Sequence, residues 1–281
     1  MNDTGGPRMI ESPRLQMIDG HYIPQLGLGV YQSAPGAETE GAVLEALRLG
    51  YRHVDTAQFY GNEADVGSAL RKSGLGRDAV FVTTKIANFN QGRDTTLRSL
   101  ERSLKEAAFD AYDLVLIHFP VTGKRSDTWR ALVDAQKQGL AKSIGVSNYT
   151  VRHLEELLDE SAVVPAINQV ELSPFLGQAE LRAFCAKHRI LVQAYSPLTQ
   201  GVKLRHKVIV SAAAKAGRTP AQVMLRWAVQ HGLIVLPKSV TPARIAENGA
   251  IFDFALDADT MRTLDGLDAG FRVSWDPTDV P

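Results

Sequence analysis

The strongest constraint on the fold of this chain is an alternation. Short apolar runs give way to longer stretches with helical spacing, and the pair recurs eight times. Leu26–Gly29 precedes a helical stretch over Glu38–Leu49, His53–Asp55 precedes Glu63–Ser73, Val80–Lys85 precedes Thr95–Ala107, and Tyr112–His118 precedes Asp127–Gln138. Ser143–Val146 is followed by Val151–Glu160, Ile167–Val170 by Gln178–His188, Leu191–Tyr195 by Val208–Ala216, and Leu233–Pro237 by Pro242–Gly249. Strands separated by whole helices pair in parallel, because a parallel crossover needs a dozen or more residues. Eight such units predict an α/β fold of the (β/α)8 TIM-barrel type. A β-hairpin is expected ahead of the barrel, over Leu15–Ile23, and two helices beyond the eight units, over Pro220–Gln230 and Ala258–Leu267. Thr219-Pro220 supplies a helix cap and a proline at the first helical position, and Gly50 ends the first helix. No linker, charge block or low-complexity run divides the chain, so residues 1–281 are expected to form one domain, with the first eight loose.

Composition narrows the partners. Lys+Arg and Asp+Glu both number 31, so no bulk charge draws the chain to nucleic acid or to an anionic membrane. No run approaches the ~20 apolar residues needed to span a bilayer, and the N-terminus lacks an apolar signal core. The single cysteine, Cys185, has no internal partner and sits on an apparent helix face, which implies an inert packed thiol and a reducing, cytoplasmic setting. No apolar helix face is left over, so the expectation is a monomer acting on a small molecule.

Four polar residues lie at or just past strand ends: Asp55, Lys85 and His118 each close an apolar run, and Tyr60 follows Asp55 by five residues. In a barrel, carboxyl ends of strands converge on the face that carries the chemistry. Taken singly, each residue has an ordinary explanation: a turn aspartate, a solvated lysine or tyrosine, a packed histidine. Together they can do more. A tyrosine ionises near pH ~10 and is a poor acid alone. An ammonium beside it would lower that value. Lys85 supplies the ammonium, Asp55 its counter-ion, and His118 a donor to orient a carbonyl oxygen.

The sequence words that hold these residues resemble the aldo-keto reductase family: His53-Val54-Asp55-Thr56-Ala57-Gln58-Phe59-Tyr60-Gly61-Asn62-Glu63, Thr84-Lys85 and Ile117-His118-Phe119-Pro120. So do Ile144-Gly145-Val146-Ser147-Asn148-Tyr149, Asn168-Gln169-Val170-Glu171 and Leu236-Pro237-Lys238-Ser239, in the family's order and across nearly the whole chain. The chain looks closest to short bacterial and protozoan members that act on diketo-gluconate, methylglyoxal or prostaglandin endoperoxide-type substrates. The resemblance implies a (β/α)8 barrel, NADPH, and reduction of carbonyls to alcohols. It makes Tyr60 the general acid, Lys85 the group that lowers its pKa, Asp55 the support of Lys85, and His118 the orienting residue. It also implies Lys238, Ser239 and Arg244 at the 2′-phosphate of NADP, and Glu247 and Asn248 at the adenine. Ser147, Asn148 and Gln169 would meet the nicotinamide carboxamide, Tyr195 would stack under the ring, and Ser196 and Leu198 would cover the pyrophosphate. From the residues alone, Lys238, Ser239 and Arg244 leave the eighth strand and open a helix, which suits a phosphate and equally suits a solvated loop.

Other architectures lack support. Gly27-Leu28-Gly29 has no third glycine for a dinucleotide fingerprint, no P-loop, His-Glu-x-x-His or Tyr-x-x-x-Lys word occurs, and His53 and His118 have no companion metal ligands. The expected substrate walls are Tyr31, Phe59, Ala87, Phe89 and Phe119, with Asn88 among them. Ala87 and Phe119 stand where the family commonly has tryptophan, and Ser173 where many relatives have histidine. The lost ring area implies a wider pocket, and the short tail over Phe271–Pro281 is expected to cover little of it. Two other readings stay open: a cofactor-sensing or structural barrel with little turnover, and a barrel that uses Lys85 as a Schiff-base amine.

Overall fold

Strands buried on both faces favour Val, Ile and Leu, and such residues form much of the wall of this molecule, with polar residues set among them in several strands. The structure, a computed structural model, describes residues 9–281. The expected looseness of residues 1–8 lies outside them. Eight parallel strands follow one another in sequence order: β3 (Leu28–Gly29), β4 (His53–Asp55), β5 (Phe81–Ile86), β6 (Tyr112–Ile117), β7 (Ala141–Ser147), β8 (Ile167–Glu171), β9 (Leu191–Tyr195) and β10 (Ile234–Leu236). Parallel bridges Leu26↔Val235 and Gly29↔Lys238 join the last strand to the first and close the barrel. β7 is longer at both ends than its apolar run, because Lys142 and Ser147 extend the ladder with polar side chains.

An antiparallel hairpin of β1 (Arg14–Gln16) and β2 (Tyr22–Pro24) precedes the barrel. Its Met17 and Ile23 pack with Leu114, Leu116, Ile167 and Ile234 of the barrel strands and so plug the floor. A second, larger core lies between strands and helices and includes Val54, Val82, Val115, Ile117, Leu100, Trp129, Leu154 and Trp227. Gly145 of β7 faces Ile167 so closely that an added Cβ would lie 2.6 Å from its carbonyl oxygen, which explains a glycine in mid-strand.

The helices are α1 (Ala37–Leu49), α2 (Glu63–Lys72), α3 (Arg93–Ala107), α4 (Arg125–Lys137), α5 (Val151–Glu160), α6 (Ala179–Lys187), α7 (Lys207–Ala216), α8 (Pro220–Gln230), α9 (Pro242–Gly249) and α10 (Ala258–Asp265). The Thr219 cap is present, with Gln222 closing a reciprocal capping box. The structure exchanges one expected role. α8 packs against β10 and α9 and is the seventh barrel helix, whereas α7 lies against α8 and α10 and is the extra one. Periodicity marks both as helices and cannot say which touches the sheet. Cys185 is fully buried in α6, and burial pushes its thiol up to about 12. No helix among the described residues is long and apolar enough to cross a membrane.

Candidate active site

Asp55 ends β4, Lys85 lies one residue before the end of β5, and His118 follows β6. Tyr60 ends a single 3-10 turn over Gln58–Tyr60, and Gly61 then turns the chain at φ 66°, a left-handed value that suits glycine. That turn is pinned from beneath. Gln58 donates to Ser99 Oγ and Ser103 Oγ at 3.1 Å each and accepts from the Ala87 backbone N–H at 3.0 Å. Asn62 accepts from Thr56 Oγ1 at 2.7 Å and donates to the Val30 carbonyl at 3.1 Å. Glu63 is buried and accepts from the hydroxyls of Thr84, Ser103 and Tyr112. These three supports lie within the family word at 53–63, yet nothing in their spacing marks them as supports.

The four strand-end groups converge. Lys85 Nζ, with no exposed surface, donates to Asp55 Oδ1 at 2.5 Å, to the Thr56 carbonyl at 2.9 Å and to Tyr60 Oη at 3.3 Å. The Tyr60 and His118 rings meet edge to face, with centroids 5.7 Å apart. Burial raises the Asp55 carboxyl and lowers the Lys85 ammonium, and the attraction between them opposes both shifts. Burial, chiefly, and then the Asp55 carboxylate push the Tyr60 phenol well above its ordinary value. This reverses the sign expected from Lys85 alone, because burial disfavours the phenolate more than a neighbouring ammonium favours it. Burial, reinforced by Lys85, lowers His118 to about 3, so its ring is neutral and can donate one N–H.

A cavity of about 640 Å³ opens above this cluster. Tyr60, His118 and Asp55 lie at its floor side with Ser147, Asn148 and Gln169. Asn148, at φ 63°, donates to the His118 carbonyl at 2.9 Å and accepts from Tyr195 Oη at 2.8 Å, which ties the ends of three strands together. Asparagine tolerates that backbone conformation better than most residues. Tyr195, Ser196 and Leu198 form one wall. Lys238, Ser239 and Arg244 also line it, from the loop after β10 and the first turn of α9, and Glu247 and Asn248 follow on that helix. Lys238 Nζ also donates to the Gln32 carbonyl at 3.1 Å, so it bridges β10 and the loop after β3. Cations and a hydroxyl at one end and amides at the other fit an elongated phosphorylated dinucleotide.

The expected substrate walls separate. Tyr31 lines the cavity, and Phe59 stands at its rim against His118, with centroids 6.2 Å apart. Ala87 is fully buried, Phe89 is largely exposed in a 3-10 turn, and neither they nor Phe119 line the cavity. The tail corrects another expectation. Trp275 lines the cavity and packs edge-on against Tyr31, Phe59 and His118, with centroids 6.5, 6.2 and 6.1 Å away. Glu171 holds this segment by accepting from the backbone N–H groups of Val273 at 2.6 Å and Ser274 at 3.0 Å. Further on, Arg152 donates to the Val280 carbonyl and Arg125 to the Pro281 carbonyl. The tail is therefore a strap across the mouth, and Trp275 adds ring area there. No periodicity in 271–281 signals that crossing.

A second cavity, of about 220 Å³, lies on the outer wall between α4 and α5. Among its charges Arg93 pairs with Asp134, Arg125 with Glu156 and Arg130 with Glu160.

Known proteins resemble this chain along its length. A profile described as the aldo/keto reductase family matches residues 25–269. An aldo-keto reductase of Mycolicibacterium smegmatis is 47% identical over 268 residues, covering 95% of this chain and 97% of that protein. Methylglyoxal reductase DkgA of Escherichia coli is 45% identical over 267 residues, 94% of this chain and 96% of that protein. Among solved structures, a substituted form of Gox0644 in complex with NADPH superposes with a TM-score of 0.91 at 44% identity, covering 96% of this chain and 98% of that one.

Proposed function

The chain belongs to the aldo/keto reductase family, and on that premise we propose that it reduces aldehydes and ketones (α-dicarbonyls, keto-sugars or aromatic aldehydes) to alcohols, with Tyr60 as the proton donor. It is an NADPH-dependent oxidoreductase. The observation that carries the mechanism is the contact of Tyr60 Oη with Lys85 Nζ at 3.3 Å, above the buried pair of Lys85 with Asp55.

When bound, NADPH supplies the hydride from nicotinamide C4. The residues of the chain do the rest. His118, neutral, donates its N–H to the substrate carbonyl oxygen and turns that oxygen toward Tyr60. Tyr60 transfers its proton to the oxygen as negative charge grows there. Lys85 then stabilises the charge left on Oη, a role in the transition state that needs no lowering of the resting pKa. Lys238, Ser239 and Arg244 hold the 2′-phosphate, Glu247 and Asn248 the adenine, and Ser196 and Leu198 cover the pyrophosphate. Tyr195 would stack against the nicotinamide, with Ser147, Asn148 and Gln169 toward its carboxamide. Tyr31, Phe59 and Trp275 offer flat apolar faces at the mouth, which favours planar carbonyl compounds. The activity of the related methylglyoxal reductase supports α-dicarbonyls within that class.

The test is NADPH oxidation by the purified protein with methylglyoxal, keto-sugars and a series of aromatic aldehydes. Tight NADPH binding without turnover on any of them selects the sensor reading instead. Replacing both cations, Lys238→Met with Arg244→Leu, is expected to weaken NADPH by roughly tenfold or more for each cation removed. NADH, which lacks the 2′-phosphate, should bind as before; equal losses for both cofactors count against the phosphate clamp. Trp275→Ala should raise kcat/KM for bulky aromatic aldehydes relative to methylglyoxal, read across a size series. An unchanged ratio removes the strap from specificity.

A further inference from the structure

A hydrogen-bonded file continues below the catalytic cluster into the barrel. Gln169 Nε2 donates to Asp55 Oδ2 at 2.7 Å and to Gln193 Oε1 at 2.9 Å. Gln193 Nε2 in turn faces His53 Nε2 at 3.5 Å, and Thr83 Oγ1 lies 3.2 Å from the same nitrogen. Gln193 and His53 have no exposed surface. Gln169 and Gln193 are direct partners in the β8–β9 ladder, so their side chains share the inward face.

The polarity of this file is set from its charged end. A carboxylate only accepts, so Asp55 Oδ2 requires the amide nitrogen of Gln169. That nitrogen has a second hydrogen, and Gln193 Oε1 takes it. Gln193 is then left with its own nitrogen toward His53, whose Nε2 must accept, as it also can from the Thr83 hydroxyl. Burial keeps His53 neutral, at about 3, so a bare ring nitrogen is present to do so. Every group in the file has one consistent direction. Gln169 spends both amide hydrogens, and among the described residues nothing donates to its Oε1, although the side chain lines the cavity.

We propose that Gln193 is a positioning residue: it fixes the Gln169 amide so that its oxygen, not its nitrogen, meets the carboxamide of the bound cofactor. This rests on the placement of the nicotinamide beside Gln169 under the proposed function. With one anchor only, at Asp55, the Gln169 amide can swing about that bond. With two, its plane is set, and the oxygen recognises the N–H of the carboxamide.

The test compares NADPH with its 3-acetylpyridine analogue, which keeps the carbonyl and lacks the N–H. Dissociation constants are read by fluorescence titration without substrate, so turnover plays no part. The wild-type protein should bind NADPH roughly tenfold more tightly than the analogue, about the worth of one buried hydrogen bond. Gln193→Met keeps volume and deletes the acceptor, and should bring that ratio toward one. Gln193→Leu makes the same deletion should the first variant not fold. Gln193→Glu retains an acceptor oxygen and should keep the ratio. A full wild-type ratio in the Met or Leu variant overturns the proposal, as does its loss in the Glu variant. A residue that served packing alone would lower the melting temperature and leave the ratio where it was. A wild-type protein that binds both cofactors equally instead removes the carboxamide from Gln169 and overturns the proposed placement itself.

Discussion

Tyr60→Phe should cut kcat for carbonyl reduction by about 10²–10⁴-fold, the usual worth of a positioned general acid, and leave NADPH affinity at its wild-type level. The substitution removes one oxygen. The ring that packs on Tyr31, with centroids 5.0 Å apart, and on His118 is retained, so the cavity keeps its shape. Stopped-flow reduction of a single aldehyde and a cofactor titration separate the two quantities. Full turnover in this variant would falsify the assignment of the acid. The wild-type pH profile is a companion measurement. The active phenol is present below its pKa, which burial raises, and is lost only above it. His118, lowered to about 3, is neutral above that value. Reduction should therefore show no histidine titration across the neutral range and decline only at alkaline pH. A step near pH ~6.5 would mean that a solvated imidazole controls the rate.

Lys85→Met should remove activity and stability together. The lysine is fully buried, and its loss leaves the Asp55 carboxylate without a counter-charge in the barrel interior. Breaking one side of such a pair costs about 3–5 kcal/mol. Adding Asp55→Asn to the variant removes the stranded charge and should return much of the melting temperature, yet none of the turnover, because no ammonium remains beside Tyr60. The pH dependence has a definite sign. In the single variant burial holds the Asp55 pKa above its unfolded value, so the folded state binds more protons and stability falls as pH rises through the folded pKa. A variant equally stable at all acidic and neutral pH would contradict an uncompensated carboxylate at that site.

Much of this architecture can be read from the chain because barrel strands announce themselves. Most carry a short apolar run, and a polar residue at its end, Asp55 or His118, marks where the wall meets the mouth. The eleven residues matched to a cofactor all line one cavity for the same reason: Ser147 and Tyr195 end β7 and β9, Gln169 lies within β8 between them, and Lys238 follows the last strand. What stays hidden depends on partners distant in sequence. α7 and α8 have similar helical spacing, and only packing assigns one of them to the sheet. Trp275 lies in an aperiodic tail whose path is set by Glu171, more than a hundred residues earlier. The sign of the Tyr60 shift is set chiefly by how deeply the phenol is buried, which residue types do not specify. Gln193 reads as an ordinary interruption of an apolar run until the β8–β9 register sets it opposite Gln169.

The lysine at the centre of this site also bears on durability. A protein that handles electrophilic carbonyls risks slow poisoning, because free amines and thiols add to such compounds. Here the three hydrogens of Lys85 are directed at Asp55, Thr56 and Tyr60, which leaves no lone pair free for condensation. The only thiol is sealed inside a helix. Prolonged exposure to reactive aldehydes should therefore leave adducts on outlying arginine and lysine side chains, while the reaction centre survives its own diet.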